Sequence, residues 1–271
     1  MTIIASGETG SMPNGVTSRM LPVRDGEIHL LEGGKGPPLL VLHAAGGAGI
    51  WQPAHERLAQ HFRVFAPDHP GFGQSPVIDC IDAVSDLAFH YVDVLDRLEL
   101  DKVHVVGSSF GGWVAAELAV LAPERVAQLV LVDPIGLRVA GHPVGDLFAM
   151  GPQEKMANLF YDQAIPARMF PSEPDIGFIL RMYRDEAAFA RYAWSPFCAN
   201  PKLPRRLFRI SAPTLILWGE HDRVVPVAHG ERYAELISHA TLEVIPQAAH
   251  AVMMERPDVV TDRICAFAGV A

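Results

Sequence analysis

The sequence predicts an α/β protein with a mostly parallel sheet and helices on both faces. Three observations carry this reading. Apolar, β-branched runs alternate with helical segments along most of the 271 residues, the pattern of parallel sheets covered on both sides. One such run, Val103-His104-Val105-Val106, passes through Gly107-Ser108-Ser109-Phe110-Gly111 into Gly112-Trp113-Val114-Ala115-Ala116-Glu117-Leu118, which reads strand, sharp turn, helix. Residues 135–210 intervene where a simple α/β unit needs one helix.

In chain order, residues to about Thr17 are polar and rich in Gly and Ser, an extension expected to be loosely held. It lacks a basic segment followed by a long apolar one, so it does not read as a secretory signal. An early strand closes at Val41-Leu42 and runs into His43-Ala44-Ala45-Gly46-Gly47. Arg63–Pro67 forms the next strand, and the glycines and Asp68 of the turn that follows are expected to shape that loop rather than react. Leu129–Val132 is a strand ending at Asp133-Pro134, the departure point of the long insertion. The insertion is rich in large apolar residues, among them Leu147, Phe148, Met156, Phe170, Phe189, Tyr192 and Trp194. Its Phe178-Ile179-Met182-Tyr183 spacing predicts amphipathic helices. Thr214–Trp218 and Thr241–Ile245 complete the strands, each ending in a polar loop.

The chemistry concentrates in these strand-end loops. Only Ser109 has glycine two positions away on either side, Gly107 and Gly111. A serine at a strand-to-helix turn is held in a strained conformation that exposes its hydroxyl, and a Cβ at either flanking glycine would collide where strand and helix nearly touch. The turn also leaves the N–H of Phe110 at a helix N-terminus, where it can bind an oxyanion. A serine hydroxyl is inert until a histidine takes its proton and a carboxylate orients that histidine. Asp222 lies just past the Thr214–Trp218 strand and His250 ends the loop after Thr241–Ile245. Asp133 is a rival acid; Asp222 is preferred because Asp133 precedes Pro134 and the insertion. His221 adjoins Asp222 in one turn and should point away from it, which leaves His250 as the base. The other histidines show no metal-ligand spacing.

The order Ser109, Asp222, His250 is that of the α/β-hydrolase superfamily, and the chain resembles that superfamily from about Arg19 to its last helix. The resemblance implies an eight-stranded, mostly parallel sheet with a helical cap inserted after strand 6, so that 1–134 and 211–271 form the core and 135–210 the cap. It implies Ala45 as the second oxyanion-hole N–H; Ala44 stands where the family usually has glycine, a departure that leaves the main-chain donor in place. It further implies a serine hydrolase, metal-free and without a cofactor, acting on a small-molecule carboxylic ester with an apolar or aromatic portion. Trp51, Trp113, Val252 and Met253 are candidates to line the pocket with part of the cap. Serine at 109 disfavours relatives with an aspartate nucleophile. Gly46–Trp51 with Ser109–Trp113 is also similar to carbon–carbon hydrolases of ring-cleavage (dienoate) products, which need a cap arginine for the substrate carboxylate; Arg168, Arg181, Arg184 and Arg191 are the candidates. A ligand sensor that keeps the fold but does not turn over is a third reading.

Composition agrees. Half the residues are hydrophobic, 49%, enough for a substantial single-domain core. A formal net charge of -9 argues against nucleic acid and anionic membranes as partners. Cys80, Cys198 and Cys265 are widely spaced and odd in number, which fits a reducing, cytoplasmic compartment rather than a disulfide framework. No run approaches the ~18 to 20 apolar residues of a membrane span. No Rossmann or phosphate-loop glycine pattern is present. Oligomeric state stays open, a homo-oligomer included.

Overall fold

The computed structural model describes residues 12–169 and 174–270. Strands β1 (Val16–Val23), β2 (Gly26–Gly33), β3 (Pro38–Leu42), β4 (Arg63–Pro67), β5 (Val103–Ser108), β6 (Val126–Val132), β7 (Thr214–Gly219) and β8 (Ala240–Ile245) form one sheet in the order β1-β2-β4-β3-β5-β6-β7-β8. β1 pairs antiparallel with β2, and β2 with β4; every pairing from β4 to β8 is parallel. The chain steps outward from β3 to β4 and then crosses back to β5. Such a reversal opens a crevice beyond the carboxyl ends of the strands, where open α/β sheets bind ligands.

The inner strands read as apolar runs because both faces are covered, and alternate residues serve different cores. Val103, Val105, Leu129 and Leu131 join one cluster with Leu87 and Tyr91 of α2 (Val84–Arg97), Val114 and Leu118 of α3 (Phe110–Leu121) and Tyr233 of α7 (Ala228–Leu236). Val106, Val130 and Val132 join the other, with Ala54 and Leu58 of α1 (Pro53–Leu58), Val252 and Met253 of α8 (Val252–Glu255) and Ile264 of α9 (Pro257–Ala268). The amino-terminal extension is shorter than expected, since Val16 and Thr17 already pair with Gly33 and Glu32. Residues 1–11 lie outside the described residues.

Between β6 and β7 the chain forms α4 (Pro152–Leu159), α5 (Ala164–Met169) and α6 (Ile176–Ala193). The amphipathic reading of α6 holds for the helix but not for its inward face. Met182 and Tyr183 are exposed, and the buried residues are Ala188, Phe189, Tyr192 and Ala193. Only the carboxyl half of α6 reaches the core, where Phe189 and Tyr192 pack on the ring of Phe110, with centroids 5.6 and 5.8 Å away. Phe170, counted among the apolar insertion residues, lies outside the described residues.

Candidate active site

Ser109 stands between β5 and α3 at φ 51°, ψ -110°, a left-handed conformation that a non-glycine residue adopts only when its surroundings enforce it. Those surroundings are backbone: Ser109 N–H donates to Val132 O (2.8 Å), and Ser109 O accepts from Trp113 N (3.1 Å) and Ile135 N (3.3 Å). A Cβ on Gly107 would lie 2.3 Å from Gly111 O, and one on Gly111 would lie 2.2 Å from Leu42 O. The glycine frame thus singles out Ser109 over Ser108 for a steric reason. The same close approach sets the amino end of α3 against the loop after β3, so Phe110, the first residue of α3, and Ala45 belong to adjoining segments. The first N–H groups of a helix have no partner within it.

A buried imidazole pair supports that loop. His43 Nε2 accepts from His69 N (2.9 Å), which leaves the proton on Nδ1 to donate to Ala44 O (2.6 Å). His69 Nε2–H donates to His43 O (3.0 Å), and Nδ1 accepts from Tyr91 Oη (2.5 Å). Burial lowers both pKa values and so favours these neutral tautomers. Asp68, 2% exposed, accepts from Gly49 N (2.5 Å), Gln74 N (2.9 Å) and His29 Nδ1 (2.9 Å). It shapes the loops, as its place in the sequence suggests.

The three separated residues meet in one hydrogen-bonded chain. His250 Nε2 lies 2.8 Å from Ser109 Oγ, and His250 Nδ1 lies 2.7 Å from Asp222 Oδ2. Asp222 Oδ1 accepts from Val224 N and Val225 N, both at 2.8 Å, so the carboxylate is fixed before it meets the imidazole. His221 points elsewhere: it stacks on Tyr161 with centroids 4.6 Å apart and pairs with Glu220. Asp133 is fully buried, and its Oδ1 accepts from Gly219 N (2.8 Å). Asp133, Asp222 and His250 bring three potential ligand atoms within 4.8 Å of one another. Both nitrogens of His250 are already engaged, so a cation there would have to displace the chain.

Sequence reasoning missed Glu255. Its Oε2 accepts from Ala249 N (2.6 Å), next to His250, while its Oε1 accepts from Tyr161 N (2.7 Å) and Asp162 N (3.0 Å) in the insertion. Ala251 N adds a bond to Leu159 O (2.9 Å). One buried carboxylate therefore ties the histidine loop to the α4–α5 turn.

The pocket candidates are buried in the two cores. Trp51 is 9% exposed, packs in the second cluster and donates its indole N–H to Glu56 (2.8 Å); Trp113, 3% exposed, donates to Glu117 (3.3 Å). Val252 and Met253 pack in the second cluster. What the structure gives these four is packing. The four candidate arginines of the insertion are exposed and engaged: Arg184 with Ser75 O, Arg191 with Ile81 O and Asp79 O, Arg168 with Ala164 O and Asp162, and Arg181 over the Phe178 ring.

Residues 39–263 match the sequence profile of the Alpha/beta hydrolase family. Among curated proteins, the chain is 31% identical to a 2-hydroxy-6-oxo-6-phenylhexa-2,4-dienoate hydrolase of Burkholderia cepacia, covering 85% of this chain and 87% of that one. Among solved structures it is similar to a hydrolase of the same name from Rhodococcus sp. strain RHA1 (TM-score 0.75, 25% identity, 94% and 100% covered). It also shares its fold with naproxen esterase (carboxylesterase NP) from Bacillus subtilis (TM-score 0.76, 24% identity, 94% and 92% covered).

Proposed function

From the premise that the chain belongs to the α/β hydrolase family, we propose that it is a serine hydrolase cleaving carboxylic esters with an apolar or aromatic portion. The observation that carries the reading is the continuous hydrogen-bonded chain Ser109–His250–Asp222 on a strained turn at the head of α3. Ser109 Oγ attacks the ester carbonyl while His250 Nε2 takes its proton; Asp222 holds the imidazole with Nδ1 protonated and stabilises the imidazolium that forms. The N–H groups of Phe110 and Ala45 receive the oxyanion. His250 returns the proton to the leaving alcohol, and a water it activates releases the acid from Ser109.

The arginines favour a neutral ester over a dienoate, because all four in question are exposed and already paired with protein groups. The 31% identity to a dienoate hydrolase supports the second reading, in which the same triad cleaves a carbon–carbon bond. A fluorophosphonate should label Ser109 stoichiometrically, with Ser108→Ala still reactive; an adduct elsewhere refutes the assignment. Turnover of aryl esters of graded acyl length beside a dienoate ring-cleavage product separates the two readings. An ester pocket gives a rise and then a fall of kcat/KM with chain length, each buried methylene contributing up to about 0.8 kcal/mol. A preferred dienoate, lost selectively in Arg168→Ala, Arg181→Ala, Arg184→Ala or Arg191→Ala, establishes the carbon–carbon hydrolase instead.

A further inference from the structure

Asp133 has no task in the steps above, yet it is fully buried beside them. It follows β6 at φ 46°, a left-handed conformation that aspartate tolerates better than most residues. It is clipped to the end of β7 at two points: Asp133 N–H donates to Leu217 O (3.0 Å), and Asp133 Oδ1 accepts from Gly219 N (2.8 Å). Its other oxygen, Oδ2, is buried with no donor facing it. Buried polar atoms are nearly always hydrogen-bonded, so this orphan calls for an account.

Its surroundings supply one. Side-chain atoms of Asp222 and His250 lie within 4.8 Å of its own, and Glu255 adds a further negative charge. His229 also faces Asp222; its pKa is lowered by burial, and its Nε2–H donates to His142 O (2.7 Å). Burial first, and the Asp222 charge second, push the Asp133 carboxyl well above the usual carboxylate range, against the opposing N–H of Gly219. Two carboxylates this close in a dry site do not both ionise. A proton on Oδ2 removes the orphan, because a protonated carboxyl is a donor, and the acceptor within reach is the Asp222 carboxylate.

We propose that Asp133 is a positioning residue held as the neutral acid, donating Oδ2–H to Asp222, so that the two share one proton and one negative charge and together orient His250. The proposal rests on the catalytic reading of Ser109, Asp222 and His250. The added bond weakens Asp222 as a base, which keeps the proton on the imidazole when His250 takes it from Ser109.

Infrared difference spectroscopy of the parent against Asp133→Asn at neutral pH tests the protonation without any turnover, and therefore independently of the hydrolase reading. The expected result is the carbonyl stretch of a protonated carboxylic acid, lost in the variant. Asp133→Asn replaces the acid O–H by an amide N–H while its oxygen still accepts from Gly219, so kcat and the acid limb of the kcat/KM profile should stay in place. Asp133→Leu supplies no donor and should lower kcat roughly ten- to hundred-fold at nearly unchanged KM, the loss of one hydrogen bond to a charged group. Absence of the acid band overturns the proposal. So does an acid limb that moves down by about one unit or more in Asp133→Asn, the signature of removing a real charge beside the base. If Asp133→Leu does not fold, the spectrum and the Asp133→Asn profile still decide.

Discussion

Glu255→Gln isolates the tie between the insertion and the histidine loop. The carboxylate serves three backbone donors on two sides, Ala249 N at one oxygen and Tyr161 N and Asp162 N at the other. A glutamine has one oxygen and one NH2, so it can satisfy one side while turning donor against donor on the other. With Glu255 only 9% exposed, the abandoned N–H receives little help from water and costs about 1 to 3 kcal/mol. Which side is abandoned shows in the kinetics. Losing Ala249 frees the residue before His250 and lowers kcat, whereas losing Tyr161 and Asp162 frees the insertion and raises KM. Urea unfolding followed by tryptophan fluorescence, with kcat and KM on an aryl ester, measures both. Glu186→Gln is the control: its pair with Lys155 at 2.6 Å is partly exposed and should be worth less than about 1 kcal/mol. If Glu255→Gln unfolds at the parent midpoint with parental kcat and KM, the clamp has no energetic meaning.

Asp222→Asn should lower kcat by about 10⁴, the scale of tautomer loss in serine-protease triads; variants with parental circular dichroism and parental kcat would exclude Asp222 as the acid. Gly111→Ala should abolish activity and impair folding, because its Cβ would sit 2.2 Å from Leu42 O, while Gly151→Ala, with nothing within 4 Å, should leave both unchanged. Burial depresses the pKa of His55 and His90 to about 4; the unfolded chain protonates them near ~6.5, so stability present above that pH is lost as the pH falls toward 4. Each contributes on the order of 3 kcal/mol to that loss. His90→Gln should flatten its share of the urea midpoint's decline between pH 7 and 4.5, and an equal decline in parent and variant would contradict the assignment.

The parts of the site legible in the sequence are those whose reason is local. Gly107, Ser109 and Gly111 form one turn, and the clash that requires both glycines involves the turn itself and the adjoining strand end at Leu42. Asp222 and His250 were readable because each lies in the loop that follows a strand, and parallel strands deliver their carboxyl ends to one edge. The illegible parts depend on remote backbone. Glu255, in Val-Met-Met-Glu-Arg-Pro, reads as a surface acid until residues 161 and 162 arrive over it. Trp51 and Trp113 sit near motifs in sequence, but the sequence does not say that each is buried in a core cluster with its indole N–H bonded to a glutamate, Glu56 and Glu117. Met182 and Tyr183 fit the helical period, yet the period does not say how far along its length a helix meets the core. Gly219 shows how much rests on backbone that carries no chemistry of its own. Its N–H fixes Asp133, its carbonyl accepts from Asp222 N (3.1 Å), and a Cβ on it would lie 2.0 Å from Ala249 O. Asp222, Asp133 and the histidine loop thus converge on one residue that must lack a side chain. The glycines of this site, Gly107, Gly111 and Gly219, are the points where one segment must touch the carbonyl of another, β5 on the head of α3, α3 on the end of β3, and β7 on the histidine loop, and the geometry of Ser109, Asp222 and His250 follows from those contacts.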